Sequence, residues 1–129
     1  MSVGRGFRIL VMDDDEGIQD VVRIMLGRLG YRVAVVPDGV SAVIAYQRAQ
    51  NEGDPFDLVI LDLSVEGGKG GLETLEDLKI VDPNIVALIT TGFTGEPVFS
   101  RYREYGFAGA VAKPYRMKDL DDAIRAVLS

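Results

Sequence analysis

Short apolar runs that end in acids, glycines or prolines alternate along this chain with longer stretches of helical spacing. Residues 7–12 hold Ile-Leu-Val-Met without polar alternation, as a strand covered on both faces does. Ile18, Val21, Val22, Met25, Leu26 and Leu29 then recur at steps of three and one, a helical stripe with Gln19, Asp20, Arg23 and Arg28 off it. Gly30 is placed to close that helix in the left-handed conformation. Residues 32–36 are β-branched and strand-like, and Pro37-Asp38-Gly39 makes a turn. Val40, Val43, Ile44 and Gln47 predict a second helix, which ends in the polar stretch 50–55.

The alternation repeats in the second half. A strand over 58–61 leads through a glycine-rich loop, 66–71, to a helix carrying Leu72, Leu75 and Leu78. Asp82-Pro83-Asn84 breaks the chain before a strand over 85–89, and a shorter helix is predicted near 98–105. A strand over 110–112 and Pro114 precede a last helix with Leu120, Ile124, Val127 and Leu128. Five strand–helix units in strict alternation predict an α/β fold, a doubly wound parallel sheet with helices on both faces.

In such sheets ligands sit outside the carboxyl ends of the strands. The polar residues found there are Asp13, Asp14, Asp62, Thr91 and Lys113. Carboxylates about 4 Å apart repel by ~4 kcal/mol at an effective dielectric of 20, so three of them need a cation or must keep protons. Magnesium suits oxygen donors, one or two carboxylates and phosphate oxygens, whereas zinc and copper look for thiols or imidazoles. Helix capping accounts for Asp15 and Glu16, at the start of the first helix. It does not account for Asp13 and Asp14, directly against a strand end. Asp62 sits in a mostly apolar setting that penalises an unpartnered charge. Lys113 precedes Pro114, which favours extended geometry, and a salt bridge to Asp62 is its simplest structural role.

Composition narrows the chemistry. The 129 residues suit one domain, and 47% apolar with 26% charged residues is globular. A net charge of −6 argues against nucleic acid, whose binding needs a basic face. The chain contains no histidine, so no Ser-His-Asp arrangement, histidine ligand or phosphohistidine is available; a phosphoryl group must arrive from elsewhere. It contains no cysteine, which fits a reducing compartment. Residues 1–8 do not read as a secretory signal, and no apolar stretch approaches the roughly 20 residues that span a bilayer. The expectation is a soluble cytoplasmic protein with no membrane association.

The motifs VMDDDEGI, LVILDLS, LITTGF and VAKPY, in that order, resemble the receiver domain of two-component response regulators from Arg8 to about Leu128. The resemblance implies a flavodoxin-like five-stranded sheet of order 2-1-3-4-5 with five helices, and a single receiver domain over 1–129. It implies that Asp62 is the nucleophile that accepts phosphate from a partner phosphohistidine. Asp14 and Asp62 would hold Mg2+ directly, Asp13 mainly through a water, and the Ser64 carbonyl would complete the protein ligands. Lys113 would contact a phosphoryl oxygen and Thr91 would bond another after transfer, with Lys113-Pro114 cis. Such a domain catalyses only its own phosphorylation and dephosphorylation. The donor would be a sensor histidine kinase or a phosphotransfer domain, and the family admits weak homodimers. Ser64 and Phe93 stand where the family tunes phosphate lifetime. The segments DLSVEGGKGGLETL and YREYGFAGAVAKPYR resemble the subgroup often attached to hybrid sensor histidine kinases.

Three positions depart from the common pattern. Glu66 and Lys69 stand where many receivers have Pro and Asp, which implies a more flexible loop with different charges. Ala110 replaces the Tyr or Phe that swings inward when the threonine moves, so output is expected to run through backbone and loop changes. Three other readings are weaker. A haloacid-dehalogenase-like phosphatase would use Asp13 and Asp15, but Gly17 stands where that family has Thr or Val. A flavodoxin-like FMN binder would need its phosphate loop after the first strand, where this chain has acids. A receiver fold that binds partners without phosphorylation usually lacks key acids, and all are present here.

Overall fold

In the computed structural model, which describes residues 6–65 and 69–128, five strands alternate with helices. The order is β1 (Arg8–Met12), α1 (Glu16–Arg28), β2 (Arg32–Val36), α2 (Gly39–Asn51), β3 (Leu58–Asp62) and α3 (Gly71–Val81). There follow β4 (Ala87–Thr91), α4 (Pro97–Ser100), a 3-10 turn (Tyr102–Tyr105), β5 (Gly109–Ala112) and α5 (Met117–Leu128). All strand pairs are parallel, in the order β2-β1-β3-β4-β5.

The central strands are apolar on both faces because each face has its own helical cover. Leu10, Met12, Val59, Leu61, Ala87 and Ile89 pack with α2 and α3 residues Ala42, Tyr46, Leu75 and Leu78. The residues between them, Ile9, Val11, Leu58, Ile60 and Leu88, pack with Val22, Leu26, Leu120 and Ile124 of α1 and α5. Burial of each such side chain is worth about 1.5–3 kcal/mol, which is why the runs carry no polar alternation.

Local signals set most of the ends. Asp15 caps α1 by accepting the Ile18 N–H at 3.1 Å, and Asp38 caps α2 by accepting the Ser41 N–H at 2.8 Å. Gly30, at φ 90°, ends α1: its N–H reaches the Gly27 carbonyl and the Tyr31 N–H reaches Leu26. These two hydrogen bonds satisfy two of the last carbonyls of the helix, and glycine takes the left-handed angle without a Cβ penalty.

Some expectations need correction. The fourth strand runs over Ala87–Thr91, not 85–89, because the Asp82–Asn84 turn extends further. The Ile85 N–H bonds to the Asp82 carbonyl at 3.1 Å and the Asn84 N–H to its carboxylate at 3.0 Å. The helix near 98–105 is two short pieces: at Arg101 the backbone leaves helical geometry (φ −119°, ψ 37°). In α2 the inward face is Gly39, Ala42, Tyr46 and Ala49, while Val40 and Ile44 are exposed. Small residues win there because α2 lies close to α3; a Cβ at Gly39 would come within 2.2 Å of Thr74 Oγ1. Val21, in the α1 stripe, is also exposed. The first part of the glycine-rich loop, including Glu66, lies outside the described residues.

Candidate functional site

Strand register brings the polar residues together. Met12 pairs with Leu61, so Asp13 and Asp62, each one residue further on, meet at the carboxyl ends of β1 and β3. Asp62 pairs with Thr90, and Thr91 with Ala112, so Lys113 leaves β5 at the same rim. The Lys113 N–H bonds to the Thr91 carbonyl at 2.9 Å, and the Lys113-Pro114 peptide is cis. Asp13, Asp14, Asp62, Thr91 and Lys113 thus occupy one edge, as the alternation predicts.

Lys113 Nζ lies 2.7 Å from Asp13 Oδ2 and 3.2 Å from Asp62 Oδ1. The expected partner was Asp62; the shorter contact is to Asp13. Asp13 is also more of a local cap than its sequence position suggests, since its Oδ1 accepts the Asp15 N–H at 2.9 Å. Both its oxygens are therefore engaged. Asp62 Oδ1 takes Lys113 and, at 3.4 Å, the Ser64 N–H, which leaves Oδ2 without a partner among the described residues.

One carboxylate oxygen from each of Asp13, Asp14 and Asp62 lies within 4.8 Å of the others. Asp13 and Asp62 are buried, whereas Asp14 is exposed. Burial pushes the Asp62 carboxyl up to about 6, with the Asp13 charge adding and Lys113 opposing. Burial alone would lower the Lys113 ammonium, but its bonds to Asp13 and the field of both acids hold it above its ordinary value. Three carboxylates against one ammonium leave a deficit of two positive charges at close range. An all-oxygen donor set with that deficit fits a hard divalent cation.

The surroundings fix this geometry. Thr91 is buried, and its Oγ1 accepts the Phe93 N–H at 3.0 Å. The start of α3 presses on the end of β3. A Cβ at Gly70 would sit 2.2 Å from the Leu63 carbonyl oxygen, and one at Gly71 would sit 2.8 Å from that of Asp62. Only glycine permits that approach. Lys69 pairs with Asp77 of α3. A cleft of about 690 Å³ is lined by Lys113 together with Ile18, Val21, Pro114 and Tyr115.

Two residues at the site were not legible in the sequence. Tyr115 is buried, and its hydroxyl is pushed up by burial and by the Asp13 and Asp62 charges. Gln19, on the polar flank of α1, donates from Nε2 to the Asp13 carbonyl at 2.6 Å. The glycine pair 70–71 did carry a signal, because adjacent glycines at a helix start point to close backbone approach.

Comparison with known proteins gives one consistent answer. The family described as "Response regulator receiver domain" matches residues 9–125. The chain is 27% identical to sporulation initiation phosphotransferase F of Bacillus subtilis over 121 residues, 94% of this chain and 93% of that protein. It is 31% identical over 121 residues to the DNA-binding response regulator MtrA of Mycolicibacterium paratuberculosis, covering 94% of this chain but only 51% of that protein. The structure of Vibrio cholerae chemotaxis protein CheY4 superposes with a TM-score of 0.84 at 25% identity, over 95% of this chain and 99% of that one.

Proposed function

The chain belongs to the response regulator receiver domain family, and from that membership we propose that Asp62 accepts a phosphoryl group with Mg2+ held by the neighbouring acids. Receivers take phosphate from histidine kinases or phosphotransfer proteins. The observation that carries the assignment to Asp62 is its buried carboxylate, aligned with Asp13 by strand register and held by Lys113 at 3.2 Å.

The reaction needs little covalent help from the protein, because phosphoryl transfer passes through a loose transition state governed by position and charge. With its carboxyl at about 6, Asp62 is mostly ionised at neutral pH. Oδ2, free of partners among the described residues, attacks phosphorus. The P–N bond to the donor imidazole breaks, its electron pair stays on the ring nitrogen, and that nitrogen is reprotonated. Lys113 turns toward a phosphoryl oxygen. Asp14 and Asp62, with the Ser64 carbonyl, would hold Mg2+; Asp13, whose oxygens are already engaged, would act on it indirectly. The bound cation supplies positive charge that offsets the phosphoryl oxygens.

Thr91 hydrogen-bonds the new phosphoryl group, and its release from Phe93 passes the change to the β4–α4 loop. Ala110 offers no aromatic ring to relay it. On this reading the chain catalyses only its own phosphorylation and dephosphorylation, in the cytoplasm. Among the described residues no helix is long and apolar enough to cross a membrane. The loop and the 102–116 segment favour a place beside a hybrid sensor kinase.

Incubation with acetyl phosphate and magnesium should add one phosphoryl mass to the wild type and none to Asp62→Asn. A folded wild-type protein that stays unmodified would count against phosphorylation and leave a receiver fold that binds partners without it.

A further inference from the structure

Asp14 has to aim its carboxylate at Asp62 from an exposed position in the loop between β1 and α1. The Asp13 carbonyl and the Asp14 amide form one rigid peptide plane, so whatever fixes that carbonyl also fixes the Asp14 N–Cα bond that carries its side chain. The group that holds it is Gln19, the fourth residue of α1, whose amide folds back to donate at 2.6 Å. The other anchors of this corner act elsewhere on Asp13. Its N–H goes to the Val36 carbonyl at 3.1 Å, Oδ1 takes the Asp15 N–H, and Oδ2 takes Lys113.

We propose that Gln19 is a positioning residue for the divalent cation, acting by orienting the 13–14 peptide plane rather than by touching the ion. The inference rests on the reading of this site as a Mg2+ centre. Groups that orient a ligand set in this way typically change metal affinity 10–100-fold when removed.

Two variants separate positioning from a simple structural role. Gln19→Glu keeps size and helix propensity but loses the donor, and its added negative charge would by electrostatics alone tighten cation binding. Gln19→Leu loses the donor without adding charge. Mg2+ titrated calorimetrically into each metal-free protein at pH 7.5 should show affinity about 10-fold weaker for both variants. The phosphorylation rate from acetyl phosphate should recover in Gln19→Leu at saturating Mg2+. Tighter binding by the Glu variant, or an unchanged affinity in the Leu variant, would overturn the proposal. If the wild type itself binds no Mg2+, the metal-site reading fails first, and the two failures are told apart by that one titration.

Discussion

Replacing Lys113 by methionine is expected to slow phosphorylation of Asp62 by about 10²–10³-fold, the usual loss when a charge-stabilising donor is removed. The same change should lower the stability of the metal-free protein by about 3 kcal/mol at pH 7.5, near the lower end for breaking a buried ion pair. Methionine retains the apolar stem, so the loss reports the ammonium. That ammonium lies between Asp13 and Asp62, at 2.7 and 3.2 Å, with its side chain only 15% exposed. Without it two buried carboxylates face each other beside Asp14. Saturating magnesium should restore much of the stability, because the cation replaces missing charge, but not the rate, because it cannot occupy the position of Lys113. Urea denaturation with and without magnesium, alongside phosphorylation rates, checks both parts. A variant as stable and as fast as the wild type would remove Lys113 from the mechanism.

The reason this site could be read in advance is that its residues are tied to the sheet. Asp13, Asp62, Thr91 and Lys113 sit at or one step beyond strand ends, and a parallel sheet brings those ends to one rim whatever the helices do. Features that depend on packing between helices were harder to see. Val40 and Ile44 have the right spacing for a buried stripe, yet α2 approaches α3 too closely at Gly39 and turns its small residues inward. The break at Arg101 has no proline or glycine beside it to announce it. Gln19 was invisible for a different reason: its partner is a backbone carbonyl, and no residue type marks a carbonyl that needs a donor.

The strand-end geometry also makes Asp62 a source of instability. Replacing Asp62 by asparagine should raise the stability of the metal-free protein by about 2 kcal/mol at pH 7.5. Burial and the Asp13 charge push the Asp62 carboxyl from 3.8 to about 6. That displacement is worth about 3 kcal/mol at 1.36 kcal/mol per tenfold change, reduced here because asparagine also weakens the hold on Lys113. The sign follows from proton linkage. Between pH 3.8 and about 6 the folded state holds a proton that the unfolded state has released, so the wild type gains stability as pH falls through this window. Above about 6 both states are ionised and the penalty is complete. The advantage of asparagine should therefore be full at pH 7.5 and nearly gone at pH 4. Magnesium should reverse the order, since it stabilises the folded wild type by mass action and finds one carboxylate fewer in the variant. Urea midpoints in EDTA at the two pH values, repeated with magnesium, measure each step. An asparagine variant less stable than wild type at pH 7.5 without metal would mean that Lys113 already neutralises Asp62 in full. The unbalanced charge that the cation meets would then rest on Asp13 and Asp14 rather than on Asp62.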